Sequence, residues 1–205
     1  MPTIAVLPKG DVREAAALFA RAFDRDQVAR LVSPDPEQRR RFQERGGRAQ
    51  IDRAMPYRHV FGAYEDSVLR GIAVWLPPGV TVRGSVRPPL TALPRMGRAV
   101  RQPGAVRLVR QRQKGLKQAQ STPGWHLAFL ATDPDFQRRG IGRRLMEHVL
   151  SRADADDTPV WLETSDPVNV PLYEKFGFVT IAEARGGPDL PTFWVMVREA
   201  QRPSG

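Results

Sequence analysis

Residues 125–145 read WHLAFLATDPDFQRRGIGRRL, and the fold can be worked out from this stretch. Trp125 to Thr132 is a near-continuous apolar run, which is typical of a strand buried on both faces. A loop rich in glycine and arginine comes next, and apolar positions then recur with helical spacing from Ile141 onward. The stretch therefore predicts a buried strand, a basic loop and a helix.

The loop and the helix start after it, Gln137 to Arg143, form a candidate anion site. The first N–H groups of a helix have no intrahelical partner, and together with the helix dipole they favour a bound pyrophosphate. The loop is not a dinucleotide fingerprint, because Leu145 stands where that motif needs glycine or alanine. It also lacks the Gly-Lys-Ser/Thr ending of a nucleoside-triphosphate loop. Taken alone, Gly-x-Gly favours a plain turn with surface arginines.

The rest of the chain alternates between strand and helix patterns, which predicts an α/β fold. The predicted strands cover residues 3–7, 57–64, 68–76, 160–164, 178–184 and 192–198. The predicted helices cover residues 12–23, 36–55 and 170–176, with Asn169 as a suitable cap and Gly177 as a suitable stop for the last of them.

Composition indicates one domain. The chain has 205 residues with 32 basic against 22 acidic ones, a net charge of +10 and no cysteine. We expect a single domain over residues 1–200 and a frayed tail over 201–205. The lack of cysteine excludes disulfide scaffolds, thiolate zinc sites and cysteine nucleophiles. The longest apolar run has six residues and the N-terminus has no basic leader, so we expect a cytoplasmic protein with no membrane partner.

All of the excess positive charge lies between Val80 and Thr122, which hold ten basic residues and no acidic one. Such a cluster attracts nucleic acid, an anionic surface or an acidic ligand. The segment has no aromatic residue to stack on bases, which disfavours nucleic acid. We favour a solvated insertion of two amphipathic helices separated by Pro103-Gly104. Their apolar rows are Leu90, Leu93, Met96 and Val100, and then Val106, Val109 and Leu116.

The context of Gln137-x-x-Gly140-x-Gly142 changes the interpretation of the loop. The motif follows an apolar strand, and LETS at 162–165 and NVPLYEKFGF at 169–178 follow downstream. Together these residues resemble the GNAT family of acetyl-CoA-dependent N-acetyltransferases, most closely over 125–198. The resemblance implies a mixed central sheet flanked by helices, with 80–122 as a helical insertion between strands 3 and 4. AVW at 73–75 and FWVM at 193–196 look most like the puromycin N-acetyltransferase branch, although puromycin is not inferred as the substrate.

The resemblance implies acetyl-CoA as the co-substrate. The end of the central strand would splay from the next strand and pair with the pantetheine arm, and one of its N–H groups would polarise the thioester carbonyl. The basic loop would hold the pyrophosphate. The implied residues are Leu130, Ala131 and Thr132 on the strand, Gln137, Arg138, Arg139, Gly140, Ile141, Gly142 and Arg143 in the loop, and Asn169 beyond them. The strand end departs from close relatives in having no glycine.

Acetylation of an amine needs a base for the amine proton and an acid for the departing thiolate. Tyr173 is the acid candidate, because family members place a tyrosine here near the CoA sulfur and a phenol donates a proton at neutral pH. We expect Leu172 and Phe176 to face the core, with Tyr173 pointing elsewhere. Glu163 is the base candidate, because a carboxylate in a central apolar strand is costly to bury. The alternative is a structural glutamate at the wet end of the cleft.

Other candidate residues are less specific. Trp75, Tyr57, Phe23, Asp24 and Asp26 are candidates for the acceptor pocket, where the two acids would attract a cation. The three histidines show no metal-ligand spacing, so we expect no metal. His126 could face the acceptor cleft, although a satisfied core histidine is more common.

The expected function is acetyl transfer from acetyl-CoA to a primary amine of a small molecule, by direct attack in a ternary complex. The expected assembly is a monomer or a homodimer. Two alternatives stay open. One is acetylation of a protein or peptide, and the other is a catalytically silent module that binds CoA or uses the basic insertion to contact nucleic acid.

Overall fold

The structure is a computed structural model that describes residues 1–80, 97, 101 and 104–201. Its strands are β1 Thr3–Val6, β2 Val60–Glu65, β3 Val68–Leu76, β4 Trp125–Thr132, β5 Val160–Thr164, β6 Val179–Ala184 and β7 Phe193–Arg198. Its α-helices are α1 Val12–Ala22, α2 Gln27–Val32, α3 Pro36–Ala54, α4 Ala105–Ala119, α5 Ile141–Ala155 and α6 Val170–Glu174.

The described strands form one sheet with the order β1-β2-β3-β4-β5-β7-β6. The pairing of β4 with β5 is parallel, and the other neighbouring strands pair antiparallel. The predicted α/β class, with a mixed central sheet flanked by helices, is confirmed. A parallel pair at the centre requires a crossover, and α5 supplies it between β4 and β5.

The helices cover both faces of the sheet. Helices α1 and α3 pack with β3 on one face around a core that includes Phe19 and Ile51. Helix α5 packs on the other face through Ile141 and Leu145, with Phe61 and Leu162 in the same cluster. A Cβ at Gly71 would lie 2.7 Å from Cγ2 of Ile141, so this glycine allows α5 to approach β3 closely. We call the face that carries α1 and α3 the acceptor face and the other the α5 face.

The second half of the basic insertion is helix α4, which packs on β6 and β7 on the acceptor face. The predicted apolar row was wrong for Val106 and Val109, which are 65% and 51% exposed, whereas Leu116 packs against the core. The helix instead buries Ala105, Leu108, Gly115 and Ala119. A Cβ at Gly115 would lie 2.5 Å from Cβ of Ala182, so close packing selects small residues at this contact. Pro103 and the predicted row from Leu90 to Val100 lie outside the described residues, and so do most of residues 80–103.

Helix α2 was not predicted. Its start carries a recognisable signal, because Asp26 accepts a hydrogen bond from the N–H of Ala29 at 2.9 Å. At the other end of the chain, the N–H of Gln201 donates to Asp154 at 2.7 Å, so the structure anchors the first residue of the predicted tail. None of the helices in the described residues is long and apolar enough to cross a membrane.

Candidate active site

Strands β4 and β5 separate soon after they pair. Their ladder runs from Trp125 with Val160 to Leu127 with Leu162 and does not continue along these two described strands. β4 runs on to Thr132 and stays paired with β3 on its other side. The C-terminal half of β4 therefore has a free edge. It faces a V-shaped gap toward β5, the arrangement that the resemblance implied.

The free edge offers backbone groups at alternate residues. The N–H of Asp133 donates to the carbonyl of Arg70 at 2.9 Å, which fixes the hydrogen-bonded positions of the β3–β4 ladder. Because these positions recur at every second residue, Ala131 also directs its backbone groups to β3. Leu130 and Thr132 direct theirs into the gap. Two of the three strand residues implied for the pantetheine arm therefore have free backbone groups, and Ala131 does not.

The basic loop makes a tight turn from β4 into α5. Residues Pro134–Phe136 form a 3-10 turn, and Arg138 and Gly140 have φ angles of 60° and 80°. These are left-handed conformations, which glycine adopts freely and arginine adopts at a cost. Gly140 is the N-cap residue of α5, and among the described residues no side chain caps the helix. The first N–H groups of α5 are therefore available to a ligand.

Gly142 lies in the first turn of α5, over the end of β4. A Cβ placed on it would be 3.5 Å from Oγ1 of Thr132 and 3.6 Å from Cδ2 of Leu130, which are ordinary contacts. The fold itself therefore tolerates a small side chain here, and any stricter need for glycine would come from a ligand. Ile141 is 1% exposed, so only its backbone can face a ligand.

Arginine side chains surround the loop but differ in their contacts. Arg138 and Arg139 are exposed, as is Gln137 before them. The guanidinium carbons of Arg139 and Arg70 lie 4.7 Å and 3.7 Å from the ring centroid of Phe136. We infer that this stacking helps to fix the shape of the loop.

Two further arginines follow in the first turn of α5. Arg143 is exposed and pairs with Glu147 at 2.6 Å, so a bound anion would compete with that carboxylate. Arg144 has a buried Nη1 with no hydrogen-bond partner in the described part of the chain. An unpaired guanidinium nitrogen beside a helix start is suited to a phosphate oxygen.

Glu163 on β5 is held in an ion pair. Nε and Nη2 of Arg112, on α4, each donate to one of its carboxylate oxygens at 2.7 Å. The hydrogen bond to Glu163 raises the pKa of Arg112 above its usual value. The Glu163 side chain is 17% exposed, so the predicted partial burial is observed. Both oxygens of the candidate base are therefore occupied by a side chain that the sequence did not connect with it.

Tyr173 on α6 faces the core. It is 7% exposed, whereas Leu172 is 41% exposed, so the predicted orientation of this helix was wrong. Helix α6 has only five residues, and the turn after it includes Gly177, with φ 85°, so the helix is too short for its apolar spacing to define a face. Burial raises the pKa of the Tyr173 hydroxyl to about 12, with a smaller contribution from Asp166.

The two proton-transfer candidates lie on opposite faces of β5. Tyr173 belongs to the same core cluster as Leu162, on the α5 face. Glu163, the next residue along the strand, points to the acceptor face, where it meets α4. Asn169, implied for the cofactor, is half-buried at the N-cap of α6, and its side chain makes no capping hydrogen bond.

The five acceptor-pocket candidates do not come together. Trp75 is fully buried within the core of the α5 face, and Tyr57 lines a cavity on that face near the start of β4. Phe23 stacks on Phe19, with ring centroids 4.4 Å apart. This places Phe23 in the core of the acceptor face, where Asp24 and Asp26 also lie. Asp24 pairs with Arg39, and Asp26 accepts a hydrogen bond from Ser165 at 2.9 Å.

His126 is on the acceptor face, where its ring stacks on Trp161 with centroids 3.6 Å apart. Its Nδ1 is buried with no partner in the described part of the chain, and burial lowers its pKa to about 3. The ring is buried as expected of a core histidine, but the described residues leave this nitrogen without a partner. Among the described residues, no three potential ligand side chains gather into a metal site.

Sequence reasoning missed Arg112 and the Ser165–Asp26 hydrogen bond. Arg112 was treated as one of ten solvated cations, and nothing local to it identifies Glu163, 51 residues away, as its partner. Ser165 and Asp26 are 139 residues apart. The only available signal was that Glu163, as a carboxylate in an apolar strand, would need a counter-charge.

Residues 100–193 match the family model for the acetyltransferase (GNAT) domain. An uncharacterized N-acetyltransferase, C550.08 of Schizosaccharomyces pombe, is 32% identical over 83 residues, which are 39% of this chain and 33% of that protein. The [ribosomal protein bS18]-alanine N-acetyltransferase of Salmonella typhimurium is 44% identical over 52 residues, which are 24% of this chain and 35% of that protein. The matched segments thus span about a third of each relative.

Solved structures match along the whole chain. A structure described as histone acetyltransferase HPA2 and related acetyltransferase from Corynebacterium glutamicum has a TM-score of 0.68 at 18% identity, covering 100% of this chain and 99% of that one. The polyamine N-acetyltransferase of Drosophila melanogaster has a TM-score of 0.65 at 15% identity, covering 97% and 100%. At these identities, the likeness shows the fold alone.

The diverging central strands and the uncapped helix start leave neighbouring backbone groups unpaired within the described part of the chain. Residues 100–193, just under half of the chain, are similar to the acetyltransferase (GNAT) domain, and solved acetyltransferase structures share the fold of the whole chain. The solved structures confirm the fold expected from the sequence.

Proposed function

We propose that this protein uses acetyl-CoA to acetylate a primary amine of a small molecule by direct attack within a ternary complex. The observation that carries the proposal is the gap where β4 leaves β5. It brings a free strand edge next to the uncapped N-terminus of α5. A strand edge suits the amides of a pantetheine arm, and a helix start suits a pyrophosphate.

The residues at the gap fit acetyl-CoA. Gly142 leaves room over the end of β4, and Arg144 has an unpaired buried nitrogen in the same turn. The basic loop adds Gln137, Arg138 and Arg139 as exposed donors. When bound, acetyl-CoA supplies the acetyl group as a thioester. The N–H groups of Leu130 and Thr132 face the gap, and in this proposal one of them donates to the thioester carbonyl oxygen.

Proton transfer is assigned to the two side chains on either side of β5. Tyr173 stays protonated at neutral pH because its pKa is raised to about 12, so it can donate to the departing sulfur. Glu163 accepts the amine proton, directly or through a water. Arg112 is its positioning residue, because two hydrogen bonds fix the carboxylate plane.

The helices that cover the acceptor face favour a small amine over a peptide as the acceptor. Helix α4 lies over β6 and β7, and Leu31 of α2 packs against a cluster that includes Leu108 and Leu190. These contacts narrow the approach to Glu163 from that side. The polyamine enzyme among the structural neighbours gives a precedent for a small amine. Acetylation of a protein N-terminus is the second candidate, because one relative is a [ribosomal protein bS18]-alanine N-acetyltransferase.

The test is release of free thiol from acetyl-CoA in the presence of a panel of acceptors. The panel contains aliphatic diamines, arylalkylamines, puromycin as a probe of the expected branch, and alanine-starting peptides. We expect turnover with at least one small amine and none with Gly142→Glu. Turnover with the peptides alone would reject the small-molecule assignment. Thiol release that needs no amine, or none at all although acetyl-CoA binds, would reject the transferase assignment.

A further inference from the structure

A second cavity lies on the α5 face, far from the gap between β4 and β5. It measures about 390 Å³ and sits where β4 begins, between β2 and the C-terminal part of α5. Arg152 lines it, ten residues after Gly142 on the same helix. At 1.5 Å per residue this places the cavity about 15 Å along the helix from the basic loop. The cavity is therefore not part of the proposed acetyl-CoA site.

Aromatic rings form the inner wall of this cavity. Trp125 and Phe61 line it and are 4% and 8% exposed, so each turns only a small area to the cavity. His59 meets Trp125 edge-on with centroids 4.7 Å apart, and His148 meets Phe61 in the same way at 4.6 Å. Tyr57 is 42% exposed at the mouth. Such a wall suits a planar apolar group, which can stack or pack edge-on against it.

The charged side chains of the lining are both arginines. Arg58 and Arg152 line the cavity, and none of its described lining residues is acidic. Arg152 is 60% exposed and contacts Asp156 at 3.5 Å, a long separation for an ion pair. Arg58 has no carboxylate partner among the residues that the structure describes, and its φ of 59° is unusual for a residue other than glycine. Two guanidinium groups at an apolar cavity whose lining holds no carboxylate would bind an anion, which would compete with Asp156 for Arg152.

His59 contributes a neutral polar group to the same wall. Burial and the nearby charge of Arg152 both lower its pKa from 6.5. The ring is therefore mainly uncharged at pH 7 and can donate or accept one hydrogen bond. The charges that would select an anion are those of the two arginines.

We propose that this cavity is a second binding site, for a small aromatic carboxylate whose ring packs against Trp125 and Phe61 and whose charge pairs with Arg58 and Arg152. Its volume is within the range of small-molecule sites and large enough for a bicyclic ring. The site does not depend on acetyl-CoA, so it stands whether or not the proposed acetyl transfer is correct.

The test is calorimetric titration of the full chain with indole-3-acetate, and with indole-3-acetamide as the neutral analogue of the same shape. We expect the carboxylate to bind at least about tenfold more tightly than the amide. Arg152→Gln and Arg58→Gln should each weaken carboxylate binding by about tenfold. Arg48→Gln, which replaces an arginine of similar exposure to Arg152 in a helical ion pair elsewhere, should leave it unchanged.

Competition with CoA tests where the ligand binds. Saturating CoA should not displace the ligand, and displacement would place the ligand in the gap between β4 and β5 and overturn the proposal. Equal affinity for acid and amide would overturn it, as would unchanged affinity in both arginine variants. So would no detectable binding at millimolar ligand. The unfolding midpoints of the two variants, compared with that of Arg48→Gln, verify that a lost affinity is not a lost fold.

Discussion

Arg112 on α4 and Glu163 on β5 form a bidentate ion pair, with both hydrogen bonds 2.7 Å long. The pair ties the helix of the basic insertion to the central strand, beside the gap where β4 and β5 part. The guanidinium also lies 4.6 Å from the ring of Phe193 on β7. Arg112 is therefore a structural contact of the insertion and not merely a solvated surface charge.

This pair makes the role of Glu163 testable. We expect Glu163→Gln to lower kcat by about a hundredfold with little change in KM for acetyl-CoA, because an amide cannot take the amine proton. Arg112→Gln keeps the carboxylate and should lower kcat less than tenfold. The measurement is steady-state thiol release with the best amine of the panel.

The two variants act as controls for each other, because each breaks the same ion pair. Equal losses of turnover would show that the pair is only structural. Full turnover in Glu163→Gln would remove Glu163 from the chemistry altogether.

Substitutions at Gly142 allow an effect on ligand binding to be measured apart from an effect on folding. A Cβ there would make only ordinary contacts, so Gly142→Ala should keep the wild-type unfolding midpoint. We expect Gly142→Glu to abolish measurable acetyl-CoA binding, because it fills the approach to the backbone and sets a negative charge against the pyrophosphate. Calorimetry with acetyl-CoA measures this. Unchanged affinity in Gly142→Glu would show that the cofactor lies elsewhere.

Much of the sheet could be predicted because its signals are local. The apolar run from Trp125 to Thr132 and the glycines after it specify a buried strand and a helix start without reference to the rest of the chain. The residues implied for the cofactor follow each other in sequence for the same reason. Their arrangement depends on one strand and one turn.

The acceptor side could not be predicted because it is assembled from distant segments. Trp75 and Tyr57 were expected there, yet both lie on the α5 face. The register of a strand decides to which face of the sheet each side chain points. Bulges near Tyr64 and Trp75 shift this register. The buried row of α4 was also missed, because close packing of Gly115 against Ala182 outweighs the hydropathy of the helix.

Tyr173 should act as an acid without being required for folding. We expect Tyr173→Phe to lower kcat by about a hundredfold and to change acetyl-CoA affinity less than threefold, because only the hydroxyl is lost. Since the pKa of Tyr173 is raised to about 12, its deprotonation should cause no decline of kcat between pH 7 and pH 10. The kcat–pH profiles of both proteins measure this. Equal kcat in the two proteins would exclude the acid role.

The pair between Arg198 on β7 and Asp154 on α5 should stabilise the fold in a pH-dependent way. Arg198 is buried and donates two hydrogen bonds to Asp154, at 2.7 Å and 2.8 Å, which lower the pKa of that carboxyl below 3.8. A lowered pKa means that the contribution is complete above about pH 5 and is lost as the pH falls through the folded-state pKa. We expect Asp154→Asn to reduce the free energy of unfolding by about 3 kcal/mol at pH 7, because it leaves the buried guanidinium of Arg198 without a counter-charge. The difference from wild type should shrink below pH 4.

Urea unfolding at pH 7 and pH 3 measures both effects. The control is Asp52→Asn, which removes an exposed helical pair and should reduce the free energy of unfolding by under about 0.5 kcal/mol. Equal losses for the two variants, or a loss that does not depend on pH, would show that the Arg198–Asp154 pair does not stabilise the fold.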